Sequence, residues 1–204
     1  MIAIITGDII KSANHSPAEW LPRLKEYFSR FGEAPLQWEI YRGDEFQLKV
    51  NERNALHTAL KIKAMMKSVK GLDVRMGIGI GLETFQGSGV TESNGPAYRR
   101  SGRNLDALKQ SKVNLSIATG HSDKDAVLNL MFRLALDFMD HWSAVSAEIV
   151  SLMLDDVHAP QKEIAKQLGI KQSAVSQRLK RARFELVLEL LHFYSEYMKT
   201  DTSS

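Results

Sequence analysis

Five charged side chains in the first half of the chain, Asp8, Asp44, Glu45, Arg99 and Arg103, stand where strand ends, a tight turn and one helix face can gather them. Asp8 follows the apolar, β-branched run at residues 2–6 and is expected to close a strand. Asp44 and Glu45 fall on a tight turn between two further strand-like runs. In a split βαβ sheet the first strand and the hairpin strands are neighbours, so Asp8 and Asp44 can bring their carboxylates together. Such a pair suits Mg²⁺, a hard cation held by one or two carboxylates plus substrate phosphates. Arg99 and Arg103, spaced i to i+4 after a glycine-rich loop, present two guanidinium forks to phosphate from one helix face. A plainer reading competes: Asp8 as a strand-end cap, Asp44 as an ordinary turn residue, Glu45 exposed, and both arginines on the surface beside Asp106 or Glu92.

A second group lies at residues 161–183, QKEIAKQLGIKQSAVSQRLKRAR, whose spacing predicts two short helices joined by a tight turn. Pro160 suits a first helical position, Ile164, Ala165 and Leu168 recur on one face, and Gly169 ends the helix. Ser173 suits a cap or first turn of the second helix, whose inward positions are Val175, Leu179, Ala182 and Leu186. The other side carries Gln172, Ser173, Ser176, Gln177 and Lys180, polar groups of the kind that read base edges in the major groove of DNA. Lys171 and Arg181 flank them. Residues 158–183 hold seven Lys or Arg against Glu163 alone, an electrostatic footprint for phosphate. The bland alternative is a solvated helical hairpin with a basic face.

The elements that must position these groups follow from periodicity. Strands are expected at residues 2–6, 36–41, 46–50, 74–82 and 113–118, with helices opening at Pro17, after Asn51 and at Pro96. The order strand, helix, strand, strand, helix, strand, helix, strand predicts an α+β domain over residues 1–120, a ferredoxin-like βαββαβ unit with one further helix and strand. Gly77, Gly79 and Gly81 mark a strand over which another element passes closely. From residue 122 the pattern turns helical, with Val127, Met131, Leu134, Phe138, Trp142, Val145 and Ile149 on one face and a break near residues 142–146. Residues 121–200 are thus expected to form an all-α domain, with the basic helix pair at about 159–183. Residues 184–198 are apolar on more than one side, so a second surface must cover them, either the first domain or another copy. The tail from 199 to 204 is expected to lack structure.

Composition sets the frame. The chain has 204 residues, 44% hydrophobic and 25% charged, with no cysteine and a formal net charge of +3. Disulfides, thiolate metal sites and cysteine nucleophiles are excluded. No run is long enough to span a membrane and no signal-peptide core follows Met1, so a cytoplasmic location is expected. Residues 121–157 hold seven acids against Lys124 and Arg133, directly before the basic segment, an asymmetry that points to nucleic acid at one end.

Four motifs of the first half resemble the palm-type catalytic domain of class III nucleotide cyclases and GGDEF diguanylate cyclases. TGDIIKS at 6–12 is similar to the cyclase metal-binding first strand, which implies a metal role for Asp8. RGDEF at 42–46 resembles the hairpin motif, placing Asp44 as the second metal ligand and Glu45 in the GGDEF position. VRMGIGIG at 74–81 is like a cyclase strand, and GPAYRRSGR at 95–103 aligns with a cyclase helix. That alignment implies Arg99 at the catalytic asparagine and Arg103 at the transition-state arginine. Departures stand at Ile40, where cyclases carry an adenine-reading lysine, and at Arg42, which replaces the first glycine of GGDEF and would crowd or contact a bound nucleotide. Residues 161–183 resemble the helix-turn-helix of sigma-factor region 4 and of response-regulator output domains. The combination is similar to the SatD family. The expectation is a DNA-binding transcriptional regulator, a homodimer away from any membrane, whose first domain binds a nucleotide with Mg²⁺. The alternative is a metal-dependent nucleotide cyclase or nucleotidyltransferase with a helical regulatory domain.

Overall fold

The computed structural model describes residues 1–199. Residues 200–204, most of the tail expected to lack structure, lie outside the described residues. In chain order the elements are β1 (Ile2–Ile10), α1 (Leu21–Ser29), β2 (Trp38–Tyr41), β3 (Glu45–Asn51), α2 (Ala55–Lys67), β4 (Asp73–Gly81), α3 (Pro96–Ser111) and β5 (Leu115–Ala118). Five α-helices follow among the described residues: α4 (Ser122–Met139), α5 (Ala144–Asp155), α6 (Gln161–Leu168), α7 (Gln172–Ala182) and, after a one-residue break, α8 (Phe184–Lys199). The molecule is α+β, with one mixed sheet in the order β2-β3-β1-β4-β5. β1 runs antiparallel to both β3 and β4, and only the β4–β5 pair is parallel. Each of the first two crossovers is therefore split by a central strand.

Alternation along β1 assigns the two faces of the sheet. Ala3, Ile5 and Ile9 join the main core with Leu24 and Phe28 of α1 and Leu56 and Leu60 of α2. Ile4 packs on the opposite face with Val90, Ala97 and Tyr98, beneath α3. There α3 rests on β4 almost backbone to backbone. A Cβ on Gly79 would lie 2.1 Å from the Ala97 carbonyl oxygen, and one on Gly77 2.6 Å from that of Ser101, so only glycine admits the helix.

The C-terminal helices share the main core. α4 packs against β5, α5 against α2 and α7, and α8 against α2 and α4. On α8, Phe184, Val187, Leu190 and Tyr194 are buried, and the Tyr194 hydroxyl donates to the Glu52 carbonyl at 2.7 Å. Burial of each such side chain contributes roughly 1.5–3 kcal/mol. The exposed Arg30–Asp155 pair contributes at most about 1 kcal/mol, whereas Lys61 and Lys63 of α2, both buried, pair with Asp155 and Asp140 at 2.6 and 2.5 Å, so charge as well as apolar packing joins the two parts of the chain.

Several boundaries and faces differ from the sequence expectation. β1 continues four residues past Thr6, because pairing with β4 persists to Ile10↔Asp73, so Asp8 lies inside the strand rather than at its end. Pro17 opens a short 3₁₀ turn and the helix proper begins at Leu21. Asn51 likewise caps a 3₁₀ turn, its side chain accepting from the Arg53 amide. On α4 the buried face is Leu128, Phe132, Ala135, Leu136 and Met139, whereas Val127 and Leu134 of the expected stripe are 39% and 62% exposed. That helix carries two apolar stripes, and the sheet takes the other one. Leu186 is also exposed, because Arg183 adopts a left-handed φ of 52° that ends α7 and swings the following residues into α8.

Candidate functional site

The β1–β3 register sets Asp8 opposite Glu45, and the Ile9 amide donates to the Asp44 carbonyl at 3.1 Å. Asp8 and Glu45 thus face each other across β1 and β3, on the sheet face covered by α3, with Asp44 in the adjoining turn. The turn itself needs positive φ at Arg42 (51°) and Gly43 (88°), which leaves Arg42 exposed at its tip. Each carboxylate has its own partner. Ser12 Oγ donates to Asp44 Oδ2 at 2.5 Å, Lys109 Nζ lies 3.0 Å from Glu45 Oε1, and an Arg75 guanidinium nitrogen lies 3.4 Å from Asp8 Oδ2.

Asp8 is the electrostatic centre of the group. Burial pushes its carboxyl above the ordinary range. Arg75 and Lys109 pull it down, and the neighbouring Asp44 and Glu45 push it up again. Its Oδ1 is buried without a hydrogen-bond partner, as is Arg75 Nε. An orphaned carboxylate oxygen beside a second carboxylate is a donor set that fits a hard divalent cation. Among the described residues no group of three or more His, Cys, Asp or Glu is gathered for a metal, since the three acids face three different partners.

Arg99 and Arg103 are both exposed on α3, one turn apart. Among the described residues Arg99 donates to Asn94 Oδ1, at 3.4 Å, and neither arginine pairs with Asp8, Asp44 or Glu45. The positions beside those carboxylates belong to Arg75 and Lys109, which the sequence reading passed over. Arg75 was findable: it shares the parity of Gly77 and Gly79 and so faces the same side of β4 as Asp8 faces on β1. Lys109 gave no such signal, because its position at the end of α3 acquires meaning only once the hairpin is placed.

In the second group, Pro160 is the extended residue that precedes α6, with Gln161 the first helical position. Gly169 ends α6 in the left-handed region at φ 63°, and the Ile170 amide returns to the Ala165 carbonyl at 2.9 Å. Lys171 precedes α7 and makes no side-chain cap bond; Ser173 lies in the first turn. Ile164, Ala165, Val175, Leu179 and Ala182 are buried; α6 packs on α7, and α7 on α5. Lys171, Gln172, Ser173, Ser176, Gln177, Lys180 and Arg181 are all exposed. Arg178 is held back by Glu148, 3.7 Å away.

Among the described residues no helix is long and apolar enough to cross a membrane. No curated protein and no solved structure shows a significant match to the chain. The SatD family model, in contrast, matches residues 1–192, nearly the whole length, and the chain belongs to the SatD family.

Proposed function

We propose that the chain is a DNA-binding transcriptional regulator whose sheet-containing part binds a nucleotide with Mg²⁺. The observation that carries the DNA reading is the division of α7: Val175, Leu179 and Ala182 are buried, while seven polar or basic side chains from Lys171 to Arg181 share the solvent side. With α6 packed against it across the Gly169 turn, α7 serves as the recognition helix of a helix-turn-helix. Gel shifts against genomic DNA fragments test this. Sequence-selective retardation supports it, and no retardation of any fragment removes it.

The ferredoxin-like palm reading is supported by the strand order around β1 and by the pairing of Asp8 with Glu45 beside the turn that carries Asp44. In it, Asp8 and Asp44 hold Mg²⁺, which neutralises phosphate charge when bound, and Arg42 flanks the nucleotide. Arg99 and Arg103 contribute phosphate contacts from α3. One helix pair reads only a few base pairs, so the regulator works as a homodimer. The surface for it is the apolar groove between α4 and α8, with Leu134 and Leu186 exposed at 62% and 44%. Arg183 and Glu189 line the same groove, so a two-fold contact lets each arginine meet the other copy's glutamate.

A second reading is favoured by the orphaned Asp8 oxygen: a metal-dependent nucleotide cyclase or nucleotidyltransferase, with Arg103 stabilising charge on phosphorus. Pyrophosphate release from nucleoside triphosphates with Mg²⁺ or Mn²⁺ would establish it. Nucleotide binding without release establishes the sensor.

A further inference from the structure

A cleft of about 780 Å³ opens between the end of β1, the start of β4, the α3–β5 turn and the α4–α5 turn. We propose that it is a second ligand site, one that takes a small phosphate-bearing anion of the pyrophosphate class without a metal.

Five cations line it, Lys11, Lys67, Lys70, Arg75 and Lys112, against two acids, Asp73 and Asp140. Both acids are already neutralised from within. Buried Lys63 lies 2.9 Å from Asp73 and 2.5 Å from Asp140, and Lys67 lies 3.2 Å from Asp73. Arg75 belongs to Asp8. Lys11, Lys70 and Lys112 remain, all exposed and none with an ion-pair partner among the described residues. Like charges around one concavity repel, and an anion is what relieves that repulsion.

One further feature favours an anion. Ser143, Ala144 and Val145, the start of twelve-residue α5, also line the cleft. Ser143 Oγ accepts from the Ser146 amide, so the Ala144 and Val145 amides are the unpaired ones of that helix start. The volume falls within the range of small-molecule sites, and Ile10, Leu72 and Trp142 give it an apolar floor.

This site is separable from the carboxylate site, which holds phosphate through a cation. Titration calorimetry of the full chain with pyrophosphate in excess EDTA tests it. Saturable binding is expected, weakened about tenfold or more in Lys70→Ala plus Lys112→Ala and unchanged in Asp44→Ala. Both lysines are exposed, and an unaltered melting temperature of the double variant shows that the fold is kept. Absence of binding to the wild type, equal binding by the double variant, or loss of binding in Asp44→Ala alone would each overturn the proposal.

Discussion

An ionised carboxylate with one oxygen beyond the reach of any donor weakens the fold that contains it, and Asp8 carries that burden in the middle of a strand. Asp8→Asn keeps the shape and the acceptor that faces Arg75 while removing the charge. In the absence of divalent metal the variant should melt no lower than the wild type. With Mg²⁺ and nucleotide at a hundredfold excess over Kd, the wild type should gain about 2.7 kcal/mol and the variant nothing. Thermal shift reads both; a variant that gains as much as the wild type would remove Asp8 from the ligand set. Half of this site was legible in the sequence. TGDI and RGDEF announce Asp8, Asp44 and Glu45, but a motif carries no information about competing partners: Arg75 follows from strand parity, and Lys109 only from the placement of the hairpin beside the end of α3.

Among the elements, the interface of α2 with α5 carries a pH dependence. Burial lowers the pKa of His57 below its ordinary 6.5, against the opposing hydrogen bond with the Leu154 backbone. The unfolded chain therefore binds the proton first on acidification. Stability contributed by neutral His57 is present above 6.5 and is lost as pH falls through that value towards the lower folded one. Denaturant midpoints measured from pH 7.5 to 5 should fall, and His57→Gln should flatten the curve; an unchanged slope in the variant would assign the effect elsewhere. The elements themselves followed from periodicity, because strand alternation and helix starts are local signals. Faces were less legible. Val127 and Leu134 fit the same apolar spacing as the buried stripe of α4, and only the position of β5 selects between the stripes. Nor does local pattern reveal that Arg183 takes a left-handed φ, which is what carries Leu186 out of the α7 face.

At the scale of the molecule, one side chain touches both the basic cleft and the helix pair. Trp142 lines the cleft, and its Nε1 donates to the Ala182 carbonyl at the end of α7, at 2.9 Å. Trp142→Phe leaves that buried carbonyl without its donor and should cost about 1–3 kcal/mol of unfolding free energy. A loss below a few tenths of a kcal/mol in urea unfolding would show that the bond does not hold α7 in place. The proposed contact with DNA rests on α7 itself. Its most direct test is the salt dependence of affinity for a retarded DNA fragment, measured by anisotropy for the wild type and for Lys180→Ala plus Arg181→Ala. The double variant should bind more weakly, with a log–log salt slope shallower by about two. Affinity indifferent to salt, or a variant with the wild-type slope and affinity, would contradict the assignment of α7 as the DNA-reading helix.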